Sequence, residues 1–131
     1  MSQIADISRG PSGNPVVHKV WCAVDCGVAI KPNVITAQME GGIGYGLSAI
    51  LFNAITLQKG GAVTQWSFND YRSMRINEML NIEVAIIKSA APLTRVGGPG
   101  VPPIGPAVAI ARRRLTGITV ARPPIIQLET S

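Results

Sequence analysis

Aromatic side chains are scarce in this 131-residue sequence, with two each of Trp, Tyr and Phe. Groups that hold metals or form sulfur bridges are scarcer still: one histidine, His18, and two cysteines, Cys22 and Cys26. A disulfide across so short a stretch as "WCAVDCG" would be strained, and a metal centre needs more partners than these residues supply. Buried free thiols are the expectation. No apolar run reaches the ~18 residues of a membrane span. The start, "MSQIADISRGPSGNP", lacks the basic opening and apolar block of a secretory signal, so a cytoplasmic location is expected. Acidic residues number seven against twelve Lys and Arg, leaving a net charge of +5. Only Arg112-Arg113-Arg114 form a run, and no basic stripe is interleaved with aromatics, which argues against a nucleic-acid partner.

What is abundant is apolar and glycine content. Hydrophobic residues make up 47 % of the chain, enough to exclude disorder and to fill one core. Residues 1–15 read as a flexible lead and 16–131 as a single domain. "VVHKVWCAV" (16–24) is β-branched and apolar, a strand. After the turn at "DCG", Pro32 suits the first turn of a helix. Val34, Ile35, Gln38, Met39, Ile43, Leu47, Ile50 and Leu51 then recur at three- and four-residue spacing, one helix with an apolar stripe. Its middle contains Gly41, Gly42, Gly44 and Gly46, each costing about 0.5–1 kcal/mol against alanine. Close packing of a second backbone, or of a ligand, must offset that, and the pattern alone leaves the two equally open.

Two β-rich arms around Lys59-Gly60-Gly61 (55–68) predict a hairpin. "NDYRSMRINEM" reads as irregular, "NIEVAIIKSA" as a strand, and "PPIGPAVAIARRRLTG" as a second helix begun by prolines and stopped at Gly117. The tail "ITVARPPIIQLE" is expected to add a short strand. The order predicts an α+β fold, a mostly antiparallel sheet with two helices packed on one side. Between the last strand and helix lies "RVGGPGVPP" (95–103), three glycines and three prolines in nine positions, a stiff loop shaped for close approach.

Taken in order, "CAVDCGVAIKPNVITAQMEGGIGYGLS", "FNDYRSMRINEM", "IEVAIIKSA" and "VGGPGVPPIGPAVA" resemble the last part of the molybdenum-binding large subunit of the xanthine dehydrogenase family. The likeness is nearest to the isoquinoline 1-oxidoreductase and aldehyde dehydrogenase types. The resemblance implies a fragment of the molybdenum-cofactor-binding domain and a molybdenum-pyranopterin cofactor. It also implies two partners, the upstream part of the large subunit, absent here, and an iron–sulfur small subunit. Gln38 resembles the glutamine that reaches the cofactor, with Gly41 and Gly42 allowing close approach. Gly97 and Gly98 belong to the loop that in the family carries a glutamate, its general base. Here Gly98 stands at that position, so no catalytic residue is carried over and the chain is expected to be inactive alone. Neither Glu40 nor Glu78 is placed to substitute. Arg112 and Arg113 occupy positions that resemble apolar family residues, which implies a helix face open to solvent or to an acidic partner. A segment of a larger subunit would leave apolar surface uncovered, so self-association is expected of the isolated chain. The alternative reading is a non-catalytic interaction or assembly module that keeps the fold.

Overall fold

A computed structural model describes residues 1–126 of the chain. Three strands form one sheet in the order β1-β2-β3: β1 (Ser2–Arg9), β2 (Pro15–Val24) and β3 (Asn81–Ile86). Two helices complete it, α1 (Pro32–Leu51) and α2 (Val101–Thr116). The α+β architecture holds. Within it β1 runs antiparallel to β2, whereas β2 and β3 are parallel, so the sheet is mixed. Parallel neighbours need a long crossover, and residues 25–80, which include α1, provide it.

The lead expected over 1–15 is instead β1 and a turn. Gly10 and Asn14 close that turn through an N–H···O bond of 2.9 Å, with Gly13 at φ 80°. The strand escapes a periodicity reading because its alternation is broken at Gln3 and Ile4. Gln3, Ala5 and Ile7 are half-buried, while Ile4 is 64 % exposed. The register slips between Asp6 and Ile7 and leaves His18 without a partner position. This bulge brings His18 Nε2 to 2.6 Å from Ser8 Oγ.

Val20, Cys22 and Val24 of β2 point into a core shared with Ile35, Met39, Ile43, Leu47 and Leu51 of α1 and with Ile104 and Val108 of α2. The large buried side chains of α1 form a four-residue row, Ile35 to Leu51, flanked by buried Gly44, Gly46 and Ser48, while Val34 and Gln38 stay exposed. α2 begins with prolines at positions whose N–H groups would have no partner anyway, and ends at Gly117 in the left-handed conformation, φ 75°. The hairpin over 55–68 is present as a single Leu57–Val63 bridge, its turn made by Gly60 and Gly61 at positive φ. The polar segment after it contains one 3₁₀ turn, Ile76–Glu78. Residues 118–126 form no strand. Ile125 is buried, and its N–H bonds to the carbonyl of Ile50 at 2.8 Å. The last residues of the expected tail strand lie outside the described residues.

Candidate functional site

Helix α1 spends its glycines unequally. A Cβ at Gly46 would lie 2.8 Å from Val101 O and 2.5 Å from Ile104 Cγ2, and one at Gly42 would lie 3.4 Å from Gly100 Cα. These two, one turn apart, let the start of α2 cross α1 at backbone distance. Gly44 faces the thioethers of Met79 and Met74. Close packing therefore accounts for three of the four. Gly41 is different: a Cβ there meets nothing within 4 Å, so packing does not explain its presence.

Gln38 and Tyr45 share the exposed face of α1 with Gly41, at spacings of three and four residues. Across from Gln38 lies the Gly/Pro loop, close enough that a Cβ on Gly97 would sit 3.7 Å from Gln38 Oε1. The fold thus brings together Gln38, Gly41, Gly97 and Gly98, expected as cofactor contacts, and turns Gly42 to α2. Gly98 is exposed, a Cβ on it would meet nothing within 4 Å, and its φ lies outside the left-handed region.

The loop is held from an unexpected quarter. Gln3 of β1, 97 residues away in sequence, donates its Nε2–H to Gly100 O at 3.0 Å. Its Oε1 is buried without a hydrogen-bond partner. Sequence reasoning missed Gln3, and no local signal marks it, since a glutamine beside an isoleucine reads as the outward member of the pair. On the α2 side, Val101 N–H bonds to Gly98 O at 3.2 Å, and Pro102 and Pro103 have no N–H. The start of α2 therefore lacks the donor array by which helix N-termini usually hold anions.

Two groups are set aside by their surroundings. Glu78 accepts from both Arg72 Nη atoms and from the Arg75 N–H at 2.8 Å. The Arg72 guanidinium, itself stacked 4.2 Å over Phe52, holds the Glu78 carboxyl below the usual carboxylate range. It is a paired structural anion. Cys22 and Cys26 are buried free thiols, as expected, and burial pushes the Cys22 thiol up. Among the described residues no three His, Cys, Asp or Glu side chains are grouped to hold a metal ion.

The arrangement can form one wall of a site for a large ligand, with an amide-bearing side chain, Gln38, against Gly97 and beside open space at Gly41 and Gly98. Such a wall suits a planar, polar cofactor that needs close backbone approach, and it contributes few charged groups of its own. Residues 11–80 match the family described as "Molybdopterin cofactor-binding domain", and the chain belongs to that family. It is 35 % identical over 119 residues to isoquinoline 1-oxidoreductase subunit beta of Brevundimonas diminuta, a match covering 88 % of this chain and 15 % of that protein. It is 30 % identical over 84 residues to the nicotine 6-hydroxylase large subunit of Paenarthrobacter nicotinovorans, covering 64 % of this chain and 10 % of that one. The crystal structure of quinoline 2-oxidoreductase from Pseudomonas putida 86 shares the fold at TM-score 0.67 and 21 % identity, over 79 % of this chain and 14 % of that one. The chain spans about 15 % of the length of the first of these relatives.

Proposed function

We propose that this chain forms one wall of the molybdenum-pyranopterin site of a molybdenum hydroxylase acting on N-heterocycles or aldehydes, and that alone it is inactive. The observation that carries this reading is the placement of the Gln38 amide against Gly97, with Gly98 beside it and Gly41 one turn along α1 both open to solvent. Gln38 would orient the cofactor through its side-chain amide, and Gly41 and Gly97 would let it approach the backbone. When bound, the cofactor supplies two-electron redox chemistry. Gly98, at the position of the family's general base, supplies no proton acceptor, and a positioned base is worth ~10²–10⁴-fold. The rest of a large subunit and an iron–sulfur small subunit complete the assembly in this reading, in the cytoplasm. The glycine at 98 also supports a second reading, a non-catalytic assembly module that keeps the fold.

The test has two parts. Purified alone, the chain is expected to carry no stoichiometric molybdenum or pterin, because one wall of a site binds weakly. Its presence at one equivalent by metal and pterin analysis would overturn the split-site reading. Mixed with a large subunit that lacks the matching segment, wild-type chain is expected to retain cofactor and turn over poorly. Gly98→Glu should raise hydroxylation of an N-heterocycle, read with a dye acceptor, by ~10²–10⁴-fold. No gain with cofactor demonstrably bound refutes the placing of Gly98, and full activity of the wild-type mixture does the same.

A further inference from the structure

The arginine run at the end of α2 has no part in the cofactor wall. Ile110, Arg113 and Arg114 share one exposed face of the helix, at spacings of three and four residues. Leu115 and Ile118 follow in the chain, and Ile110, Leu115 and Ile118 are 54, 47 and 59 % exposed. Next to this face, α2 and β1 border a groove of about 470 Å³. Ile4, Ile7, Ile110 and Leu115 line it, with Arg114 as its one cation and Asp6 as its one acidic group.

The chain itself does not use these guanidinium groups. The helix end is closed without them: Gly117 N–H bonds to Arg113 O at 2.8 Å, and Thr116 Oγ1 donates to Arg112 O at 2.9 Å. Among the described residues the salt bridges are Lys19–Glu83 and Arg72–Glu78, so none engages the run. Cations near a helix C-terminus suit the macrodipole, but the dipole gives no reason for three aliphatic side chains to stand exposed around them.

We propose that the end of α2 docks on an anionic membrane surface as a peripheral contact. Arg113 and Arg114 pair with lipid phosphates, and Ile110, Leu115 and Ile118 enter the boundary between headgroups and acyl chains. Charge complementarity gives the sign of the occupant: three adjacent cations in a chain of net charge +5 attract a negative surface. The apolar part gives its kind. Contacts with proteins and with single-stranded nucleic acid draw on aromatic side chains, and neither the patch nor the groove contains one. Aliphatic groups around arginines match lipid, which offers phosphate and hydrocarbon at one boundary. The inference does not depend on the proposed function.

The test is co-sedimentation with vesicles of phosphatidylcholine alone and of phosphatidylcholine and phosphatidylglycerol in equal parts, at ~0.1 M salt. Wild-type chain should bind the mixed vesicles and leave the neutral ones. Arg113→Gln/Arg114→Gln should bind the mixed vesicles ~30-fold more weakly, at about fivefold for each arginine near the surface. Ile110→Ser/Ile118→Ser should lose about tenfold with no change in charge. The control, Lys59→Gln/Lys88→Gln, removes the same charge from other exposed positions and should keep nearly all of the binding. All six positions are exposed, so circular dichroism is expected to be unchanged. Equal losses in the arginine and lysine variants reduce the effect to net charge and overturn the docking face. Binding to neutral vesicles as tight as to mixed ones, or to neither, overturns it too. Tighter binding to polyglutamate or to a single-stranded oligonucleotide than to mixed vesicles makes an acidic protein or a nucleic acid the occupant and overturns the inference. Each of these outcomes leaves the proposed function standing.

Discussion

Gly41, Gly46 and Gly98 look alike in the sequence and differ in what surrounds them. A methyl at position 46 would meet Val101 O at 2.8 Å, a backbone atom that yields only if the helix crossing opens. Gly46→Ala is expected to destabilise by about 1–3 kcal/mol, the range for overpacking a tight contact. Gly41→Ala meets open space and should stabilise by about 0.5–1 kcal/mol through helix propensity. Urea unfolding of the two variants reads both signs. Gly98→Glu should fold as wild type, because neither sterics nor a left-handed φ opposes a side chain there. The sequence shows that the four glycines inside α1 are costly. Only the neighbours show that Gly42, Gly44 and Gly46 are explained by packing and that Gly41 is not.

Strand β1 and the Gly/Pro loop are distant in the chain and joined by one side chain. Removing it in Gln3→Ala deletes the bond to Gly100 O and should cost about 1 kcal/mol. The loop should also open more readily, seen as faster amide hydrogen exchange at Gly100 and Val101, while the α1 amides keep their protection. The 3₁₀ segment carries a different device, the Arg72–Glu78 pair. The Glu78 carboxyl titrates lower in the folded chain than in the unfolded one, because Arg72 hydrogen-bonds its charged form. Its contribution is therefore complete above the ordinary carboxylate range and is lost as pH falls through the folded-state value. The pair is partly solvated, with side chains about 30 % exposed, so the amount stays below about 1 kcal/mol. Glu78→Gln should flatten the acid limb of a stability–pH profile and leave the limb above pH 6 parallel to wild type.

At the scale of the molecule, the helices and sheet enclose one core, while Trp66, Phe68, Ile76 and Leu57 stand in solvent. Contiguous patches of this kind associate. The isolated chain is expected to dimerise at tens of micromolar, and a clean monomer in sedimentation at that concentration would show that the face is tolerated without a partner. None of its described helices is long and apolar enough to cross a membrane. Arg113 and Arg114 of α2 are exposed and Arg112 is half-buried, which agrees with a helix end that faces water and accommodates cations near its C-terminus.

The sequence by itself determined the family, the two helices with their proline starts and glycine stop, β2, β3 and the Gly/Pro loop. Those signals are local: a β-branched run, an apolar stripe at three- and four-residue spacing and turn residues whose backbone preference is set by their own chemistry. It also identified the residue at position 98, since identity needs no coordinates. Tertiary structure decided the rest. It made a strand of residues 2–9, whose inward Gln3 and outward Ile4 contradict the alternation a strand normally shows, because pairing with β2 outweighs side-chain pattern. It set β3 parallel to β2, a choice that depends on the path of the intervening chain. It also turned Gly42 toward α2 and Gly41 toward open space, since which face of a helix is covered is decided by the element that crosses it.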